Sequence, residues 1–189
     1  MSKRIKRECV SMRKCSALLF VVVMLSALLC SCALGGEGVT MDKDQRKVNQ
    51  KFEEVLTALQ TQDSSTLRLL FSEESLQKAE AFDETVPELF VYFEGSVESV
   101  NDWGACYVET SKEDNQIVQS MEATYDVKTT KGDFRFAVRY VAQDTVNPNN
   151  VGIHSLYIVK AQDDSSLEYA YWGDGKFTPG IHIGIPNAE

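Results

Sequence analysis

Near Gly95 the hydrophobic rhythm of this 189-residue chain switches from helical to strand-like, and that switch limits the fold more than any other feature. Before it, Val48, Phe52, Val55, Leu56 and Leu59 recur at steps of 4, 3, 1 and 3, which is one face of a helix. Asp63-Ser64-Ser65 breaks and recaps the chain. A short helix then carries Leu67, Leu70 and Phe71, and another runs through Leu76 to Ala81. Thr85-Val86-Pro87-Glu88 reads as a helix start, with Thr85 as cap, Glu88 three residues on and Pro87 in the first turn. Leu89, Phe90 and Phe93 follow, and Gly95 is a ready stop.

Beyond Gly95 the period is two. Ser96 to Val100, Ala105 to Thr110, Glu122 to Thr129, Asp133 to Val141 and Gly152 to Lys160 are strand candidates. Thr130-Lys131-Gly132 is a hairpin turn, and Asn147-Pro148-Asn149-Asn150 is a loop. In the fourth strand Phe134, Phe136, Val138 and Tyr140 share one face, and Arg135, Ala137, Arg139 and Val141 the other. Helices first and an antiparallel meander after them make an α+β fold, with the helices packed on one side of the sheet.

The N-terminus is of another kind. Lys3, Arg4, Lys6, Arg7, Arg13 and Lys14 precede an uncharged run from Ser16 to Leu29, too short to span a bilayer comfortably. The run ends in Leu29-Cys30-Ser31-Cys32, which resembles the bacterial lipoprotein signal. That resemblance implies a diacylglyceryl thioether on Cys32. Cys30 is the less favoured acceptor, because it would put Leu29 where the peptidase wants a small residue. Residues 1–31 are then a signal peptide, 32–41 a lipidated cysteine with a glycine-rich tether, and 42–189 one domain. Two acyl chains hold a protein stably on a membrane, whereas one does not.

Six of the 19 basic and one of the 28 acidic residues lie in the first 31, so the remainder carries 13 against 27, a formal charge near −14. Such a body lacks the cationic footprint that nucleic acid needs. Of five cysteines, Cys9, Cys15 and Cys30 leave with the leader and Cys32 takes the lipid. Cys106 is left alone, so the domain stands without an internal disulfide, and a small buried hydrophobe is its ordinary role.

The helix with Phe52 and Leu56, the Asp63…Leu67…Leu70-Phe71 unit, Leu89-Phe90…Phe93-Glu94-Gly95, Phe136…Val138…Tyr140 and Asn147-Pro148…Val151-Gly152-Ile153…Leu156-Tyr157 together resemble a family of uncharacterised bacterial lipoproteins, known mainly from Gram-positive gut bacteria. The likeness spans about Asp42 to Ile185. It implies a nuclear-transport-factor-2-like, or cystatin-like, cone: a bent antiparallel sheet wrapped around helices, with a cavity at the open end. That family has no assigned catalytic residues, and the wider fold hosts enzymes, dimerisation modules and simple binders.

The residues themselves offer little chemistry. His154 and His182 are the only imidazoles, and neither sits in a nucleophile elbow or a zinc-binding helix motif. Glu73-Glu74, Asp83-Glu84 and Asp163-Asp164 lack calcium-loop spacing. No cofactor or metal is implied. Aromatic residues are the more promising lining for a cone cavity: Tyr92, Trp103, Tyr125, Phe136, Tyr140 and Tyr157. The tail from Tyr169 to Pro186, with Tyr171, Trp172 and Phe177, reads as two short strands or a hairpin over an edge. The expectation is a non-enzymatic, surface-anchored module on the outer face of the cytoplasmic membrane, binding a small ligand or an envelope protein. The alternatives are a small envelope enzyme using Asp126, Glu109 or Glu122 as base, and a homodimer paired through the face bearing Arg135, Ala137 and Arg139.

Overall fold

A computed structural model describes residues 43–104, 106–163 and 177–184. These fall in one compact unit, Met41–Glu189. The lipobox cysteines, the tether, Ala105 and the tail aromatics Tyr169, Tyr171 and Trp172 lie outside the described residues. Among the described residues no helix is long and apolar enough to cross a membrane.

Four helices come first: α1 (Lys43–Thr61), α2 (Ser64–Leu70), α3 (Glu73–Lys78) and α4 (Phe82–Tyr92). The apolar stripe of α1 is buried as its spacing predicts, and Phe52 is 1% exposed. Its ring stacks on Tyr125 at 3.8 Å between centroids and meets Phe136 edge-on at 5.2 Å. Asp63 caps α2 by accepting from the Thr66 amide at 2.9 Å, as its position predicts. Ser72 caps α3, which therefore starts and ends earlier than Leu76 to Ala81 suggested.

The predicted start at Thr85 is corrected. Helix α4 begins at Phe82, after Ala81 in a left-handed conformation, and Thr85 Oγ1 donates to the Ala81 carbonyl at 2.9 Å. Burial decides this: Phe82, Val86 and Leu89 form a stripe, and Phe82 packs edge-on against Phe71 at 4.9 Å. Pro87 lies inside the helix, and the carbonyl it leaves without a donor belongs to exposed Asp83.

The sheet follows: β1 (Val97–Asp102), β2 (Tyr107–Glu113), β3 (Gln116–Thr129), β4 (Asp133–Asp144), β5 (Gly152–Lys160) and β6 (Gly180–Ile183). Strand β3 is longer than predicted. It is joined to β2 through Asp114 and Asn115, both at positive φ, a two-residue hairpin that the sequence hid because neither is glycine. β1 pairs with residues 125–129 of β3 and β2 with residues 116–122, so one edge of the sheet is made of two strands with a break between them.

β3, β4 and β5 are antiparallel neighbours, whereas β6 runs parallel to β5. The expected all-antiparallel meander is thus a mixed, open six-stranded sheet. The 164–179 connection is long enough for the crossover that a parallel pair needs. Met121, Tyr125, Val127, Phe134, Phe136, Val138, Leu156 and Ile158 turn toward the helices and form the main core. Ala137, Tyr157 and Val159 form a smaller cluster on the opposite face, with Phe177 packed on it.

Candidate functional site

The break between β1 and β2 is held from inside the molecule. Gln45 and Asn49 stand one turn apart on α1, and their side chains are bonded, Gln45 Nε2 donating to Asn49 Oδ1 at 2.8 Å. Asn49 Nδ2 donates to Asp102 Oδ2 at 2.8 Å, at the end of β1. Gln45 Oε1 accepts from the Cys106 amide, just before β2. Buried Tyr125 donates its hydroxyl to Asn49 Oδ1 at 2.9 Å. Burial, with the charges of Asp102, Cys106 and Glu53, pushes the Tyr125 hydroxyl well above its ordinary 10.0, so it stays a donor. Asp102 Oδ1 accepts from the Gly104 amide at 3.3 Å, and Gly104 has a φ of +98, which turns the chain sharply here.

This staple delivers Trp103 and Tyr107 to the face turned away from the helices. Trp103 Nε1 donates to Asp126 Oδ2 at 3.0 Å, and the Arg135 guanidinium lies 4.3 Å from the indole centroid. Tyr107 stands opposite Glu122 in the β2–β3 register. Trp103 is 54% and Tyr107 64% exposed. Between them and Phe177 opens a groove of about 270 Å³, floored by Thr124 and Ala137 and walled by Glu122.

Two charge pairs stiffen the groove. Asp126 receives Arg135 Nε at 2.7 Å. Burial raises the Asp126 pKa, but the hydrogen bonds from Arg135 and Trp103 and the Arg135 charge outweigh it and hold the carboxyl below 3.8. Arg139 stands 3.5 Å from Glu122 and 3.9 Å from Glu109, with Phe177 5.5 Å beneath it. At Glu122 the balance is reversed: burial raises its pKa above 4.5, Arg139 opposes this, and Glu109 adds to it.

Beyond Arg139 lies a second depression of about 410 Å³, lined by His154, Glu74, Glu109 and Asn150. His154 Nδ1 meets Ser155 Oγ at 2.8 Å, and burial, together with Arg139 and Lys78, lowers its pKa below 6.5. His182 stacks on Tyr157 at 4.4 Å. Among the described residues no group of three His, Cys, Asp or Glu is placed to hold a metal ion.

The six aromatic residues singled out from the sequence fall in separate places. Trp103 lines the groove. Tyr125 and Phe136 lie in the core beneath Phe52. Tyr140 is half-buried, with the Lys51 ammonium 5.9 Å from its ring. The Tyr92 hydroxyl accepts from the Lys160 amide at 3.0 Å, and Tyr157 packs edge-on against Phe177 at 6.1 Å. Sequence reasoning missed Gln45, Asn49, Asp102 and Thr124, and it counted Tyr107 among the aromatics without placing it in the six. One signal was available: Gln45 falls three residues before Val48, a polar side chain on an apolar stripe, and it is buried.

A family model described as Domain of unknown function (DUF5104) matches residues 54–161, more than half of the chain. The chain belongs to the DUF5104 family. No curated protein matches it. The DUF5104 span holds Trp103, Tyr107, Glu122, Thr124 and Ala137, while Gln45, Asn49 and Phe177 lie outside it. The groove is thus built mainly from the family domain and completed by α1 and the segment leading to β6.

Proposed function

We propose that this DUF5104 protein is a lipid-anchored, extracytoplasmic binding module whose recognition surface is the groove beside Trp103 and Tyr107. The observation that carries the binding reading is the pair of exposed aromatic side chains held on a hydrogen-bonded break in the sheet edge. Large aromatics left in water, beside a concavity and on a stiff support, are what ligand recognition uses. The anchor reading rests on Leu29-Cys30-Ser31-Cys32 after its basic and apolar leader. With a lipid at Cys32, a body near −14 stays on an anionic surface without a basic patch of its own. The order of helices and antiparallel strands supports placing the domain in the nuclear-transport-factor-2-like class.

Arg135 and Arg139, which a self-pairing sheet face would present to a second copy, are engaged by Asp126, Trp103, Glu122 and Phe177. That favours the groove over the homodimer. A second reading, a small envelope enzyme with Glu122 as base, has the raised Glu122 carboxyl in its favour.

The test of binding uses the ¹⁵N-labelled full chain in a sugar-free detergent, screened against amino acids, nucleosides, saccharides and short peptides. The Trp103 indole N–H signal, assigned with Trp103→Phe, shifts with at least one class. Silence across the whole library overturns the reading. Fatty-acid labelling of the wild type and of Cys32→Ala in a bacterial host tests the anchor, and label retained by the variant overturns it.

A further inference from the structure

We propose that the groove takes a neutral saccharide, one sugar ring laid against Tyr107 and Trp103 with its hydroxyls on Glu122 and Thr124; this rests on the binding reading above.

The argument is one of chemical fit. A cationic ligand would seek aromatic faces, but the guanidinium charges of Arg135, 4.3 Å from the Trp103 centroid, and Arg139, 5.5 Å from that of Phe177, repel a further cation and leave a neutral ligand unaffected. An anion would seek the guanidinium groups. Those are engaged by Asp126 at 2.7 Å and Glu122 at 3.5 Å, and Glu109 adds a further carboxylate at the rim. A purely apolar ligand would strand the Glu122 carboxylate and the Thr124 hydroxyl beneath it without water.

A sugar ring satisfies all of these at once. One face of a pyranose presents C–H groups and lies flat on an aromatic ring. Its hydroxyls are donors and acceptors in pairs, matching a carboxylate that accepts and a threonine hydroxyl that does both. Among the described residues, the Thr124 and Tyr107 hydroxyls have no hydrogen-bond partner. At about 270 Å³ the groove is at the small end of ligand sites, which fits one ring held and a second leaning out over Tyr107.

The experiment titrates the full chain, in a sugar-free detergent, with glucose, N-acetylglucosamine, maltose and cellobiose, and in parallel with choline, inorganic phosphate and phenylalanine. The expected result is saturable binding of at least one saccharide, read in every variant at the Thr124 backbone amide on the groove floor and, where Trp103 is present, at its indole signal as well. Trp103→Ala and Glu122→Gln each weaken it tenfold or more, while Trp103→Phe keeps part of it. Glu122→Gln keeps the test decisive should Trp103→Ala fail to fold. Saccharide binding that survives both substitutions overturns the proposal. If choline, phosphate or phenylalanine shifts the signal and no saccharide does, the ligand class is wrong and the binding reading stands. If nothing shifts it, both fall.

Discussion

Asn49 is the residue on which the staple turns, and Asn49→Ala tests it. The side chain bonds Asp102 at 2.8 Å, receives the Tyr125 hydroxyl at 2.9 Å and receives Gln45 Nε2 at 2.8 Å. Two neutral hydrogen bonds contribute about 1 kcal/mol each, and one to a charged group about 2 kcal/mol. Alanine returns about 0.5 kcal/mol as the better helix former. The net loss is about 3.5 kcal/mol, or a drop of roughly 7–14 °C in melting temperature for a domain of this size. Urea denaturation of the full chain in detergent measures the loss. Tyr125→Phe removes the hydroxyl that Asn49 accepts, so the double variant loses less than the sum of the two singles, by about 1 kcal/mol. A loss below about 1 kcal/mol for Asn49→Ala, or strict additivity with Tyr125→Phe, refutes the staple. The second consequence is local: the Trp103 and Tyr107 signals broaden in Asn49→Ala, because the break they flank is no longer pinned at Asp102.

Three further outcomes follow from the same geometry. Gly152 has a φ of +139, and a Cβ there would lie 2.6 Å from the Ser72 amide nitrogen, so Gly152→Ala costs about 2–4 kcal/mol by urea denaturation through strain and overpacking. Glu122→Gln stabilises the protein at pH 7: the raised folded pKa means the native state bears a cost once the carboxyl ionises, and the gain disappears in melts below the ordinary value of 4.5, where both states are protonated. His154 has a lowered folded pKa, so stability falls as pH drops through 6.5, where the unfolded chain takes up a proton that the folded one resists; His154→Gln flattens that slope.

What the sequence made legible is what a strand or helix decides by itself. The α1 stripe and the two faces of β4 follow from periods of 3.6 and 2, and both hold because Val48, Phe52, Val55 and Leu59 of the one and Phe134, Phe136 and Val138 of the other meet in the same core. The start of α4 misread Thr85 because capping is worth about 1 kcal/mol, whereas burying Phe82 against Phe71 is worth more. β6 has four residues and pairs in parallel across a long connection, so no local rhythm announces it. The groove was hidden for a related reason. Tyr125 looked like a lining residue, yet Phe52, 73 positions earlier in the chain, covers its ring, and Asn49, 76 positions away, takes its hydroxyl.

That long-range dependence bears on where specificity would reside under the proposed binding reading. The family domain supplies the exposed aromatics, the carboxylate and the threonine, but the hydrogen bonds that aim them come from Gln45 and Asn49, outside the matched span. Phe177, on the far wall, is outside it too, and Arg139 couples it to Glu122. A change at Gln45 or Phe177 therefore re-aims or reshapes the groove while leaving the domain core of Phe52, Tyr125 and Phe136 intact. On the binding reading proposed above, recognition would be tuned from outside the matched span, through Gln45, Asn49 and Phe177.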